Sequence, residues 1–295
     1  MMKAPGETRG ADRAPPSSLS RQTTCYLEKG GAIALLLIAA LAAPLLAADD
    51  DPPFKKDDLI IFAGDSLTEK GTQLDGFVTL VGESLRRKFP PLSLRVQGAG
   101  VGWDRLNNLR QRYERDVLSR RPHAIVILIG GNDVEVEGAE REAVRSIFEM
   151  GMEDLAWRGK RIGARVLLST LTVLGENIGR SNKVDRLLDD YSEIIRKVAA
   201  SKGCELIELH KPMVEYLKTH NTNNVYSGVL TVDGGHLNET GNRLVADIML
   251  KALLKAPPAE AAKPASPRPS PLNGEGTLPG TAPAREEGEK RGGGT

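Results

Sequence analysis

Three short stretches of this chain carry side chains that could do chemistry together. Gly64-Asp65-Ser66-Leu67-Thr68 offers a hydroxyl, Gly130-Gly131-Asn132-Asp133 a carboxamide, and Asp233-Gly234-Gly235-His236 a carboxylate followed by an imidazole. A serine becomes a nucleophile when a base takes its proton, and an imidazole held in one tautomer by a carboxylate is such a base. A carboxamide N–H, or the unpaired backbone N–H groups at a helix start, can then stabilise the anion formed when the hydroxyl attacks a carbonyl. Each stretch also has an ordinary explanation when taken alone. Ser66 and Glu69 form an S-x-x-E capping box, Gly-Gly-Asn-Asp reads as a turn, and Asp-Gly-Gly as another. Asp65 beside the hydroxyl is expected to organise the turn rather than to react.

Placement is what would make the three one site. From Leu59 onward, short continuous apolar runs alternate with longer amphipathic ones, the pattern of a parallel sheet covered on both faces. The expected strands are Leu59 to Ala63, Leu92 to Val96, Ala124 to Ile129, Ala164 to Ser169 and Glu205 to Leu209. Leu106, Leu109, Tyr113 and Val117 recur at helical spacing, as do Val184, Leu187, Leu188, Tyr191, Ile194, Ile195 and Val198. A last helix after Asn238 should bury Leu244, Val245, Ile248, Met249 and Leu253. Val173 to Lys183 and His220 to Gly235, dense in Gly, Asn and Ser, read as loops. In an open parallel sheet, ligands bind outside the carboxyl ends of the strands, and the serine and carboxamide stretches each follow a strand there.

This combination resembles the SGNH, or GDSL-type, hydrolase family. The similarity runs from Asp58 to Leu254 in the family's order: the GDS motif, a Gly-rich turn after the second strand, G-x-N-D after the third, and D-x-x-H last. The resemblance implies an α/β fold, a three-layer α/β/α sandwich on a mainly parallel, flavodoxin-like five-stranded sheet. It also implies a serine esterase working through an acyl-enzyme on Ser66, with His236 as base and Asp233 orienting it. The oxyanion hole would comprise the backbone N–H of Ser66, that of Gly102 with Gly100 as the alternative, and the side chain of Asn132. The chain departs from the family pattern at Gln97, where Asn is usual, and at Trp103, which would narrow the acyl pocket. Ser227 to Asn242 is similar to members acting on small or carbohydrate-linked carboxylic esters. A non-catalytic carbohydrate or cell-envelope binding module of the same fold, and an acyltransferase using the same triad, are the alternatives.

Other chemistries find less support. The nucleophile-elbow pattern G-x-S-x-G is absent around Ser66, which argues against the α/β-hydrolase fold. His123, His210, His220 and His236 are scattered without H-x-x-x-H spacing, so neither a metal nor another cofactor is expected. His123 follows Pro122 at a strand entrance, away from the other motifs, and reads as structural. Forty basic residues against 39 acidic ones leave no electrostatic footprint for nucleic acid.

Of the 295 residues, the two ends lack apolar periodicity, leaving one foldable block of about 200 residues. The expected organisation is an N-terminal region over residues 1–48, a linker over 49–57, the hydrolase domain over 58–255 and a disordered low-complexity tail over 256–295. Gly31 to Ala48 is uncharged, follows Lys29 and precedes Asp49-Asp50-Asp51, so it reads as a secretory signal. An uncleaved anchor over residues 31–48 is the alternative, and it would be the chain's one contact with a membrane. Cys25 and Cys204 flank that segment and cannot pair once it is removed.

Overall fold

Leu59–Gly64 (β1), Ala124–Leu128 (β3) and Arg165–Ser169 (β4) are buried along their whole length, because helices cover both faces of the sheet. The computed structural model describes residues 52–136, 138–179 and 183–256. The apolar segment Gly31 to Ala48 expected to direct export, Cys25 and the tail from residue 257 lie outside the described residues. With Arg95–Gly100 (β2) and Glu205–Ile207 (β5), the three buried strands form a five-stranded, all-parallel sheet in the order β2-β1-β3-β4-β5. This is the flavodoxin-like order.

The intervening helices are Ser66–Gly71 (α1), Phe77–Lys88 (α2), Leu106–Asp116 (α3), Gly131–Val134 (α4), Glu142–Arg161 (α5), Lys183–Lys202 (α6), His210–His220 (α7) and Glu239–Leu253 (α8). Side chains alternate across a strand, and the two cores follow that period. Ile61, Ile125 and Ile127 pack with Leu109 and Tyr113 of α3, Met152 and Leu155 of α5, and Leu188, Tyr191 and Ile195 of α6. Their sequence neighbours Ile60, Phe62 and Val126 pack with Phe77 and Val81 of α2, Met213 of α7, and Val245 and Met249 of α8. Three layers result.

Strand order decides where a site can form. β1 connects towards β2 through α1 and α2 on one face, whereas β3 connects towards β4 through α5 on the other. The loops leaving β1 and β3 therefore diverge, and a crevice opens at their carboxyl ends. Ser66 follows β1 and Asn132 follows β3, so both flank it.

One expected strand is displaced. Leu92 belongs to a single 3₁₀ turn, Pro90–Leu92, and Ser93 turns the chain with φ 50°, so β2 begins at Arg95 and runs through the glycines read as a turn. Glycine weakens a strand unless another backbone must come close. Here α1 lies against it: a β-carbon on Gly100 would clash with the backbone of Asp65, Thr68 and Glu69, and one on Gly98 with Thr72. β5 also ends at Ile207 rather than Leu209, because Leu209 is the cap of α7, which starts at His210.

Candidate active site

Ser66 is the first residue of α1, and the cap of that helix is Asp65, whose Oδ1 accepts the Leu67 N–H at 3.0 Å. The expected Ser66–Glu69 capping box is thereby corrected. The difference matters chemically, because a capping hydroxyl would be spent on its own helix. With Asp65 in that role, Ser66 Oγ meets His236 Nε2 at 3.1 Å. His236 Nδ1 lies 2.7 Å from Asp233 Oδ2, while Asp233 Oδ1 accepts the backbone N–H groups of Gly235 at 3.0 Å and His236 at 2.8 Å. The hydrogen bond from the His236 ring, helped by those two backbone donors, holds the Asp233 carboxyl well below the usual carboxylate range. Asp233 is thus ionised where esterases work, which favours a proton on Nδ1 and a lone pair on Nε2 facing Ser66.

The loop bearing Asp233 and His236 is organised from below by Glu176, which the sequence reading missed. Its side chain is fully buried. Oε1 accepts from Leu230 N at 2.7 Å, Thr231 N at 2.6 Å and Thr231 Oγ1 at 2.7 Å, and Oε2 accepts from Val229 N at 2.8 Å. Thr231 Oγ1 in turn accepts the Gly234 N–H at 3.1 Å, inside the Asp233–His236 turn. Gly175 N donates to Gly234 O at 2.7 Å and Val232 N to His236 O at 2.8 Å, so the turn is tied on both sides. A lone acid in a Gly- and Asn-rich loop gave no hint of this, since its partners lie more than 50 positions away.

On the other side of the crevice, Asn132 Nδ2 donates to Asp104 O at 2.8 Å, and Asp133 accepts the Leu106 N–H at 3.0 Å. These two bonds pin the segment from Gly102 to Leu106. A carboxamide has two N–H donors, so one orients Asn132 and the second can serve a ligand. Arg112, also missed, is buried and clamps the strand ends. It donates to Gly64 O at 2.8 Å and Ala99 O at 2.9 Å, and its Nε lies 2.6 Å from Asp104 Oδ2. Of the two candidate glycines, Gly100 is paired in register with Gly64 and pressed against α1. Gly102 lies past the strand, where the nearest atom to an added β-carbon is Glu69 Oε2 at 3.0 Å. Trp103, the next residue, is 82% exposed.

Burial pushes the carboxyls of Asp65 and Asp133 up to about 6 each, opposed in Asp65 by the Leu67 N–H and reinforced by the charge of Asp133. A carboxyl with a raised folded-state pKa contributes most below its unfolded value of 3.8, and that contribution is lost as pH rises through about 6. Asparagine caps a helix as well as aspartate does. Asp65→Asn should therefore be more stable than wild type at pH 8, by up to about 3 kcal/mol, with the difference vanishing near pH 4. Chemical denaturation at both pH values checks this, and a pH-independent difference would contradict it.

The remaining histidines lie elsewhere. His123 Nδ1 is 3.3 Å from Asp58 Oδ2 at the amino end of β3, His210 Nε2 is 2.9 Å from Asp189 Oδ1, and His220 stacks on Tyr216.

Residues 62–244, more than half of the chain, match the family model described as the GDSL-like lipase/acylhydrolase family. Among solved structures, the chain is similar to the acetyl xylan esterase AlAXEase, with 37% identity and a TM-score of 0.62 over 66% of this chain and 98% of that one. It is 23% identical over 210 residues to an acetylxylan esterase of Geobacillus stearothermophilus, covering 66% of this chain and 93% of that protein. A lipoprotein of Bacillus subtilis (strain 168), YqeF, is 22% identical over 173 residues, 52% of this chain and 71% of its own length. Taken with the parallel sheet that places Ser66 and Asn132 after neighbouring strands and the contact of His236 with Ser66, these matches make the chain a carboxylic ester hydrolase of the GDSL-like, or SGNH, family.

Proposed function

We propose that the protein hydrolyses acetyl or similarly small acyl esters on a carbohydrate, through an acyl-enzyme on Ser66. The observation that carries the mechanism is the continuous path from Ser66 Oγ to His236 Nε2 at 3.1 Å and from His236 Nδ1 to Asp233 Oδ2 at 2.7 Å. Ser66 Oγ attacks the ester carbonyl as His236 takes its proton, and the alcohol leaves with that proton returned by His236. Water, deprotonated by the same imidazole, then releases the acid. The tetrahedral oxyanion is held by the backbone N–H groups of Ser66 and Gly102 and by Asn132 Nδ2. The choice of a carbohydrate acetyl ester is supported by the two relatives named as acetylxylan esterases. The test is a panel of acetyl, butyryl and octanoyl esters with acetylated xylan, alongside fluorophosphonate labelling. We expect acetyl esters to be preferred and Ser66 to be the labelled residue; a folded protein unlabelled at Ser66, or one that prefers octanoyl esters, would overturn the reading.

Asn132→Ala should lower kcat about 10²- to 10³-fold, the range for loss of one oxyanion donor, with KM changed far less. A KM effect alone would remove Asn132 from the oxyanion hole. Because His236 must be neutral to accept the proton, kcat/KM should fall at acid pH. Asp65 titrates nearby, at about 6, so the same profile measured on Asp65→Asn assigns the limb. Its persistence there is expected, and its disappearance would transfer it to Asp65.

The protein acts outside the cytoplasm in this reading, exported by Gly31 to Ala48. The supports are the uncharged run after Lys29 and the likeness to a lipoprotein. Amino-terminal sequencing of the exported form tests it.

A further inference from the structure

Half of the large exposed apolar side chains among the described residues gather on two segments. Leu74, Val101, Trp103, Ile147, Met150, Ile162, Leu206, Val225, Tyr226 and Val232 are the large ones that face solvent among the described residues. Half of them, Val101, Trp103, Val225, Tyr226 and Val232, fall on the two segments that flank Ser66 and His236. Both exposed aromatic rings are in that half.

Each ring is held within a residue or two of the proposed machinery. Trp103 stands between Gly102 and Asp104, the residue whose carbonyl receives the Asn132 side chain at 2.8 Å. The ring of Tyr226 is seated on Gly234, between Asp233 and His236, and on Gly175, where an added β-carbon would come within 2.7 Å of it. Both glycines have left-handed backbones, with φ of 94° and 81°.

Trp103 is there against its own interests. Its φ of 63° is a conformation that glycine adopts freely and that a β-carbon disfavours. With 82% of its surface in solvent it gains little burial in return. A bulky residue kept in such a position is best explained by something it touches that the chain itself does not supply.

We propose that Trp103 and Tyr226 form a stacking subsite for pyranose rings of the ester substrate. The inference rests on the carbohydrate-ester reading above. A pyranose has a face of C–H groups and a rim of hydroxyls, so it can lay that face on an aromatic ring while its rim stays in water. An open platform suits such a ligand. A long acyl chain would need an enclosed groove to be desolvated on all sides, and a ring this exposed cannot provide one.

The test compares wild type, Trp103→Gly and Trp103→Phe on acetylated xylo-oligosaccharides and on ethyl acetate, which has no ring to stack. Trp103→Gly should raise KM for the oligosaccharide about tenfold, the effect expected for one aromatic contact, and Trp103→Phe should recover most of it. Ethyl acetate turnover should stay within about twofold, and the melting temperature of Trp103→Gly should equal or exceed wild type because the backbone strain is relieved. In Ser66→Ala, unacetylated xylo-oligosaccharide should quench tryptophan emission, and the quench should vanish when Trp103→Phe is added, leaving Trp157 as the reporter. Equal losses on both esters, no change on the oligosaccharide, or a shift in mass by light scattering that accounts for the loss would each overturn the subsite alone. Wild type that cleaves ethyl acetate but no acetylated oligosaccharide would overturn the carbohydrate reading, and the subsite with it.

Discussion

Ser66→Ala should lower kcat about 10⁴- to 10⁶-fold on every ester, the range seen when the nucleophile of a serine–histidine system is removed. The fold should not notice. The helix that Ser66 begins is capped by Asp65, through Leu67 N at 3.0 Å and a backbone bond from Glu69 N to Asp65 O at 2.9 Å. The Ser66 hydroxyl is bonded to His236 alone, so alanine removes one partly exposed contact. His236→Ala should be nearly as damaging, and the double variant Ser66→Ala/His236→Ala no worse than either single one, because hydroxyl and imidazole act as a unit. Additive losses would show that the two groups do not share a proton. Steady-state kinetics with active-site titration measures all three, and Ser66→Ala retaining more than about 1% of wild-type kcat would assign the nucleophile elsewhere.

The three motifs were legible because the chemistry they carry needs particular residue types, and the strands before two of them were legible because continuous apolar runs leave few alternatives. Leu59, Ala124 and their neighbours are buried on both faces, so their pattern reports the layer architecture directly. The edge was harder. β2 has a solvent-facing side and two glycines demanded by α1, so its composition and period misplace its bounds. The cap of α1 was misassigned between adjacent residues that both favour caps, a choice that only backbone geometry decides. Arg112 and Glu176 were invisible for a different reason. Each works through bonds to backbone groups brought near by folding: Gly64 O and Ala99 O for Arg112, and the Val229, Leu230 and Thr231 N–H groups for Glu176. Backbone groups have no sequence signature, so a hub that reads them has none either.

Glu176 is where this gap carries the largest consequence for stability. Glu176→Ala would strand the Leu230 and Thr231 N–H donors and the Thr231 hydroxyl in a buried place, and the Val229 N–H in a partly buried one. Each orphaned donor costs about 1–3 kcal/mol, less than additively, so we expect a loss of about 5 kcal/mol and a strongly lowered melting temperature. Glu176→Gln keeps the shape and one acceptor oxygen but turns an N–H₂ group towards donors. It should lose about 1–2 kcal/mol of stability, and it isolates the effect on the loop. Thr231 Oγ1, which donates to Glu176, also accepts the Gly234 N–H, so a disturbed hub shifts the turn that aims His236. A misaimed imidazole fails most where it must protonate the departing alcohol. Loss of kcat in Glu176→Gln should therefore be about tenfold greater for ethyl acetate, whose alkoxide cannot leave unprotonated, than for 4-nitrophenyl acetate, whose phenolate can. Urea melts and kcat on the two acetates separate the outcomes. A variant that is less stable but shows the same ratio of rates as wild type would make Glu176 a fold residue only, whereas a changed ratio at full folding identifies it as the residue that positions Asp233 and His236.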